Sequence, residues 1–168
     1  MIADRRTSVA FTGHRTYRGA AADTLRRTVG ELYARGFRNF LSGMAVGFEL
    51  AAAEAVLELR ERVPGVRLVA AVPFRGQEMR FSPADRERFR RVLAEADSVE
   101  VLAPAYHRGC YAVRNDFLVD NARVLVAWYD GSPGGTRHTV FRALRRGLEF
   151  VNLHPQRAGV ALTEPTLF

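Results

Sequence analysis

Short apolar runs alternate along the 168-residue chain with longer stretches in which apolar residues recur every three or four positions. That alternation is the signature of strands interleaved with amphipathic helices. The first run, Ser8 to Thr12 (SVAFT), predicts a buried strand. From about Ala20 to Arg35, Leu25, Val29, Leu32 and Tyr33 repeat at helical spacing with arginines between them, and Gly36 supplies the stop. Arg38 to Leu41 gives a second strand, Val46 to Arg62 a helix that ends before Pro64, and Val66 to Val72 a third strand. Ser82-Pro83 with Asp85 starts a helix that runs to about Glu95, because serine caps, proline fits the first helical position and an acid favours the positive helix end. Ser98 to Leu102, Val124 to Trp128 and Phe150 to Leu153 predict three more strands, separated by helices over Tyr111 to Asn121 and Thr136 to Arg146. Strict alternation of this kind predicts a Rossmann-like α/β domain of three layers, with a mostly parallel sheet and helices on both faces. The tail from Pro155 onward is weakly patterned, so the folded part is expected to span about residues 8–153 as one domain.

Composition narrows the chemistry. With 48% hydrophobic residues the chain can build a core without a disulfide or a metal, burying about 70% of its unfolded surface. No run approaches the ~18 to 20 apolar residues of a membrane span, and a Gly-His-Arg interrupts the N-terminus before a signal-peptide core can form, so a cytoplasmic protein is expected. Cys110 is the single cysteine, which excludes an internal disulfide and a cysteine zinc site. All 25 residues of the Lys+Arg count are arginine. The chain therefore lacks the lysine that pyridoxal phosphate or a Walker A loop requires. No cofactor is implied. The net charge of +7 favours an anionic partner, although most arginines fall on helix faces turned to water.

In an open α/β sheet, ligands bind where strands end and helices begin, near the point at which strand order reverses. The loops at those positions are Thr12-Gly13-His14-Arg15, Ser42-Gly43 through Gly47-Phe48-Glu49, Pro73-Phe74 with Gln77, and Asp130-Gly131 through Gly134-Gly135-Thr136. Glycine lets a backbone approach an anion, and a helix start offers unpaired N–H groups and a positive dipole. Each glycine cluster alone is also an ordinary strand-to-helix turn, and neither matches GxGxxG or GxxxxGK[ST]. Arg15, in a loop, and Arg114, in the first turn of a helix whose preceding strand should flank the reversal point, could each fork onto a phosphate or serve in a structural ion pair. Glu49, Asp120 and Asp130 could each contact a ribose hydroxyl, or serve locally in a helix dipole, a cap or a turn. The four histidines, His14, His107, His138 and His154, have no metal-ligand spacing, so no metal is expected. His14 can act in acid–base chemistry or as a hydrogen-bonding loop residue.

These motifs in this order resemble the YpsA-like branch of the SLOG superfamily. Gly13-His14-Arg15, Ser42-Gly43 to Gly47-x-Glu49 with Ala51-Ala52-Ala53-Glu54, Pro73-Phe74 with Gln77, Tyr111-x-x-Arg114-Asn115 with Val119-Asp120, and Tyr129-Asp130-Gly131 with Gly134-Gly135-Thr136 carry the likeness over about residues 8–153. The resemblance implies a Rossmann-like fold that binds nucleotides or nucleotide-derived ligands. The superfamily includes the DNA-processing protein DprA and the Lonely Guy enzymes, which cleave the N-glycosidic bond of nucleoside monophosphates with a helix-borne arginine and a glutamate after a PGGxGTxxE loop. Arg114-Asn115 matches the arginine position and Gly134-Gly135-Thr136 a shortened glycine loop. The glutamate does not carry over, because Thr139 stands in its place. Glu49, Glu54 or Asp120 would have to replace it in a hydrolase.

Three functions are therefore weighed. The first is binding or sensing of a nucleotide, with Arg15, Gly43, Gly47, Arg114, Gly134, Gly135 and Thr136 on phosphate and Glu49 and Asp120 on the sugar. The remaining ligand contacts fall to Gly13, His14, Ser42, Pro73, Phe74, Gln77, Tyr111, Asn115, Asp130 and Gly131. The second is a nucleoside monophosphate phosphoribohydrolase with Arg114 and Glu49 or Asp120 as the catalytic pair. The third is DprA-like binding of single-stranded nucleic acid. Apolar helix faces in this fold also suggest a homodimer.

Overall fold

The computed structural model describes residues 4–155. A six-stranded, all-parallel sheet is built from β1 (Ser8–Gly13), β2 (Asn39–Ser42), β3 (Arg67–Val72), β4 (Ser98–Val101), β5 (Val124–Trp128) and β6 (Glu149–Asn152), in the order β4-β3-β2-β1-β5-β6. Five helices connect them: α1 (Ala22–Ala34), α2 (Phe48–Arg62), α3 (Pro83–Glu95), α4 (Cys110–Asp120) and α5 (Gly135–Arg145). The expected α/β class and its parallel sheet are borne out. The weakly patterned tail lies almost wholly outside the described residues.

The four inner strands, β3, β2, β1 and β5, are largely apolar on both faces, which is why their sequences read as near-continuous hydrophobic runs. Val9, Phe11, Phe40, Leu68, Ala70, Val72, Val124 and Val126 face one way, against Leu25 and Val29 of α1, most of α2, and Phe89 and Val92 of α3. The alternate residues Ala10, Leu41, Val69, Ala71, Leu125 and Ala127 face the other way, against Leu118 and Val119 of α4 and Val140 and Ala143 of α5. Period-two alternation thus sorts side chains between two cores.

Helix ends follow their local chemistry. Gly36, at φ 105°, closes α1: its N–H donates to Tyr33 and the next N–H to Leu32. Gly147 repeats this at the end of α5, with bonds to Leu144 and Ala143. Both are Schellman caps that satisfy the last carbonyls. The Ser82 hydroxyl accepts the Asp85 N–H at 3.2 Å at the start of α3, with Pro83 in the first turn. Two short 3-10 turns, Arg5–Thr7 and Gln77–Arg80, have no counterpart in the sequence pattern.

The sheet corrects one expectation. Strand order reverses between β1 and β5, while β4 lies at the outer edge, so the strand before Arg114 does not flank the reversal point. Arg114 reaches it because α4 crosses back over β3 and β1 and packs against α5. It also begins the second turn of α4 rather than sitting in the first.

Candidate functional site

At the carboxyl end of β1 the chain must pass under the start of α2. A Cβ on Gly13 would stand 2.5 Å from Phe48 Cβ, so only glycine fits there. The next two residues pass equally close to Gly47, whose φ of 84° is in the left-handed region that favours glycine. Opposite, β2 ends in a tight loop. The Ser42 hydroxyl donates to the Glu49 carbonyl at 2.8 Å and accepts the Met44 N–H at 3.1 Å. Met44 is fully buried at φ 64°, a conformation a side-chain-bearing residue holds only when its surroundings impose it.

These loops deliver Glu49, in the first turn of α2, to a buried position facing Arg114. The Arg114 Nη1 lies 4.0 Å from Glu49 Oε1 and also donates to the Gly43 carbonyl, while Nε donates to Asn115 Oδ1 at 2.8 Å. Arg114 is 3% exposed and Glu49 5%. Gly43 is what lets them meet, since a Cβ there would lie 2.3 Å from Glu49 Oε1 and 2.7 Å from Arg114 Cδ. Glu49 Oε1 is buried without a hydrogen-bond partner. Burial pushes the Glu49 carboxyl above its ordinary range, and the Arg114 and Arg15 guanidinium charges only partly oppose this.

Because the folded-state pKa is raised above the ordinary 4.5, the contribution of Glu49 to stability is greatest below that value and is lost as pH rises through the raised one. Glu49→Gln cannot titrate. It is therefore expected to gain on the wild type in chemical denaturation as pH rises from about 4 to 8, and parallel pH profiles would refute this.

A cleft of about 400 Å³ opens over this pair. Thr12, Gly13, His14 and Arg15 form one wall; Tyr111, Arg114 and Asn115 of α4 form another; Gly135 and Thr136, the first residues of α5, close it. His14 is held by Asp130, whose N–H donates to His14 Nε2 at 3.1 Å and whose Oδ1 lies 2.8 Å from the same atom. The Ser132 hydroxyl and N–H hold the Asp130 carboxyl below its ordinary range. Arg15 is exposed, its guanidinium 5.5 Å from the centre of the Tyr111 ring, which Arg114 also approaches at 5.7 Å.

The structure thus brings Gly13, His14, Arg15, Glu49, Tyr111, Arg114, Asn115, Gly135 and Thr136 together around one cavity. Ser42 and Gly43 support it from behind, Gly47 fixes the loop carrying Arg15, and Gly134, at φ 136°, precedes α5. Asp130 acts on His14, with Gly131 turning the chain beside it. Pro73 and Phe74 do not line the cleft; Phe74 packs edge-on against Tyr106 and Tyr111. Gln77 lines a neighbouring hollow.

Asp120 is not brought to the cavity. It lies at the far end of α4, paired with Arg142 at 3.0 Å and Arg146 at 3.2 Å, which favours the local-pairing alternative. Glu54 likewise pairs with Arg88 and Arg91 between α2 and α3. Thr139 is buried, its hydroxyl donating to the Gly135 carbonyl at 2.9 Å. Thr12 and Ala45, which also line the cavity, are residues the sequence did not single out as contacts; adjacency to Gly13 was the available signal for Thr12. No helix among the described residues is long and apolar enough to cross a membrane.

Comparison with known proteins agrees with this architecture. The family model described as the YspA SLOG family matches residues 10–149. A UPF0398 protein of Bacillus thuringiensis (strain Al Hakam) is 29% identical over 133 residues, covering 77% of this chain and 72% of its own. A UPF0398 protein of Bacillus cereus (strain G9842) is 27% identical over 139 residues, covering 81% and 75%. Among solved structures, DNA processing protein A (DprA) from Streptococcus pneumoniae superposes with a TM-score of 0.65 at 18% identity, over 94% of this chain but only 53% of that one. DNA processing protein A from Helicobacter pylori, described for its single-stranded DNA binding mode, gives 0.65 at 17%, over 95% and 71%. The structural likeness is one of fold.

Proposed function

The chain belongs to the YspA SLOG family, and on that premise we propose that its cleft binds a nucleotide or nucleotide-derived ligand, as a sensor or regulator. One observation carries the reading. A buried guanidinium, Arg114, and the N-terminus of α5 at Gly135–Thr136 converge on the same cavity, at the reversal point of a parallel sheet. Both favour an anion: the helix start through its unpaired N–H groups and dipole, the guanidinium through charge-assisted hydrogen bonds. Arg15 adds a third cationic group at the rim. Glu49 then faces the sugar; as a neutral acid it donates to a hydroxyl, and as a carboxylate it accepts from one.

The 4.0 Å approach of Arg114 to Glu49 also supports a second reading, hydrolysis of an N-glycosidic bond. In that case Glu49 supplies the carboxylate that Thr139 cannot. The net charge of +7, with the DprA-like fold, supports single-stranded nucleic acid as a third ligand.

A thermal-shift panel of AMP, ADP, ATP, GMP, NAD, ADP-ribose and ribose 5-phosphate tests the proposal. A ligand at a hundred times its Kd stabilises the native state by about 2.7 kcal/mol, a rise of roughly 5–10 °C in a chain of this length. The rise is expected to disappear in Arg114→Met, which keeps side-chain bulk without the charge. Release of free base from a monophosphate, lost in Glu49→Gln, would move the conclusion to the hydrolase. Salt-sensitive oligonucleotide binding that survives excess mononucleotide would move it to nucleic acid.

A further inference from the structure

Beyond Arg15 the cleft meets a second hollow of about 300 Å³, and Arg15 and Tyr111 line both. We infer that this hollow is a nucleobase subsite in which Gln77 reads an exocyclic amino group of the base. The inference rests on the nucleotide reading above and extends it to the class of base.

Gln77 is 2% exposed, yet its Oε1 has no hydrogen-bond partner. A buried carbonyl left unpaired destabilises the fold, so a residue kept in that state is one that a ligand can complete. The position is rigidly built. Gly76, at φ 90°, turns the chain after β3, the Gln77 N–H donates to the Phe74 carbonyl at 3.3 Å, and Phe74 is buried against Tyr106 and Tyr111. Arg80, one 3-10 turn on, lies with its guanidinium 4.5 Å from the Tyr106 ring centre. The hollow therefore offers an aromatic ring at Tyr111, two guanidinium groups, from Arg15 and Arg80, and oxygen acceptors from Gln77, Ser82 and Asp85. A flat heteroaromatic ring bearing an N–H donor matches all three, by stacking, by cation–π contact and by a hydrogen bond.

Spacing agrees. The Gln77 loop follows β3 and the Gly134–Thr136 loop follows β5, three strand positions away across β2 and β1, or roughly 14 Å at the spacing of a sheet. A phosphate held at α5 and a group held at Gln77 are thus two ends of one extended ligand. A sugar phosphate alone leaves Gln77 unmet, whereas a nucleotide lying over Glu49 and Arg15 reaches it. The unpartnered atom is an acceptor, which selects the amino group of adenine over the carbonyl that hypoxanthine carries at the same place.

Isothermal titration of AMP, IMP and ribose 5-phosphate against the wild type and Gln77→Met tests this. The wild type is expected to bind AMP about tenfold more tightly than IMP, the size of one buried hydrogen bond with its partner left unpaired in the losing complex. Gln77→Met should equalise the two nucleotides while leaving ribose 5-phosphate within about twofold. The variant is expected to fold, with a melting temperature equal to or above the wild type, because it removes a buried atom without a partner. Equal affinity of the wild type for AMP and IMP, or a loss in Gln77→Met shared by ribose 5-phosphate, overturns the base subsite and leaves the phosphate site standing. Failure of all three ligands to bind the wild type overturns the nucleotide reading and this inference with it.

Discussion

Arg114→Ala is expected to destabilise the protein by about 3–5 kcal/mol, the range for removing one partner of a buried ion pair, and to abolish nucleotide-dependent stabilisation. In a chain of 168 residues that is a fall in Tm of roughly 6–20 °C. The size comes from what is left behind. Glu49 is 5% exposed, its Oε1 has no hydrogen-bond partner, and Arg114 is the largest influence opposing the upward push of burial on its carboxyl. Without the guanidinium the Gly43 carbonyl also loses its donor. The Glu49 pKa then rises further, so the variant holds a proton there to higher pH and loses stability as pH climbs through that new value. Denaturant melts at pH 5 and pH 8 should show the smaller deficit at pH 5. Adding Glu49→Gln to Arg114→Ala should recover part of the loss at pH 8. A deficit independent of both pH and Glu49 would mean that Arg114 is held by packing alone.

Much of the fold was legible because both faces of the sheet are buried. Strands such as VRLVAAV then announce themselves as unbroken apolar runs, and observed strand boundaries differ from the expected ones by about one residue. A stretch rich in Ala, Leu and Glu predicts the start of α2 at Val46, two residues early. The backbone reversal at Gly47 fixes the true start at Phe48. The 3-10 turn at Gln77–Arg80 was invisible, since four residues carry no period. Strand order was beyond reach as well. Ser98 and Glu100 mark the short β4 as less buried than the other strands, but they do not give the order of the sheet, and the route of α4 back to the reversal point is a property of the whole packing.

For the site, loop position was the informative signal. Most residues picked from the ends of β1 and β2, from α4 and from the start of α5 line one cavity, because parallel topology gathers those ends at one edge. Residue type alone was weaker. Asp120 stands six positions after Arg114, far enough along α4 that it meets Arg142 and Arg146 instead of the cleft. Glu49 is one carboxylate among three candidates in the chain, and what separates it is burial beside Arg114. That environment arises only when Gly43 and Gly47 allow two loops to close on each other.

Gly47→Ala measures how much that closure matters, and it is expected to be the most disruptive of the glycine substitutions in these loops. Two costs combine. The residue sits at φ 84° and ψ −125°, a conformation open essentially to glycine, where an alanine is strained by roughly 1–3 kcal/mol. Its new Cβ would also lie 2.7 Å from His14 O, Arg15 Cα and Arg15 O, which are backbone atoms that cannot rotate away. Relief requires the β1 loop to move off the start of α2, at an overpacking cost of about 1–3 kcal/mol. The sum is a loss of about 2–6 kcal/mol. The same movement displaces His14 from Asp130 and Arg15 from the cleft, so ligand-dependent stabilisation should fall with it. Gly19→Ala is the matched control: φ there is 96°, but a Cβ meets nothing within 4 Å, so only the conformational cost applies. Denaturant melts of the two variants separate strain from close approach. Equal losses would show that the β1 and α2 loops have room to spare and that the cleft does not depend on their contact.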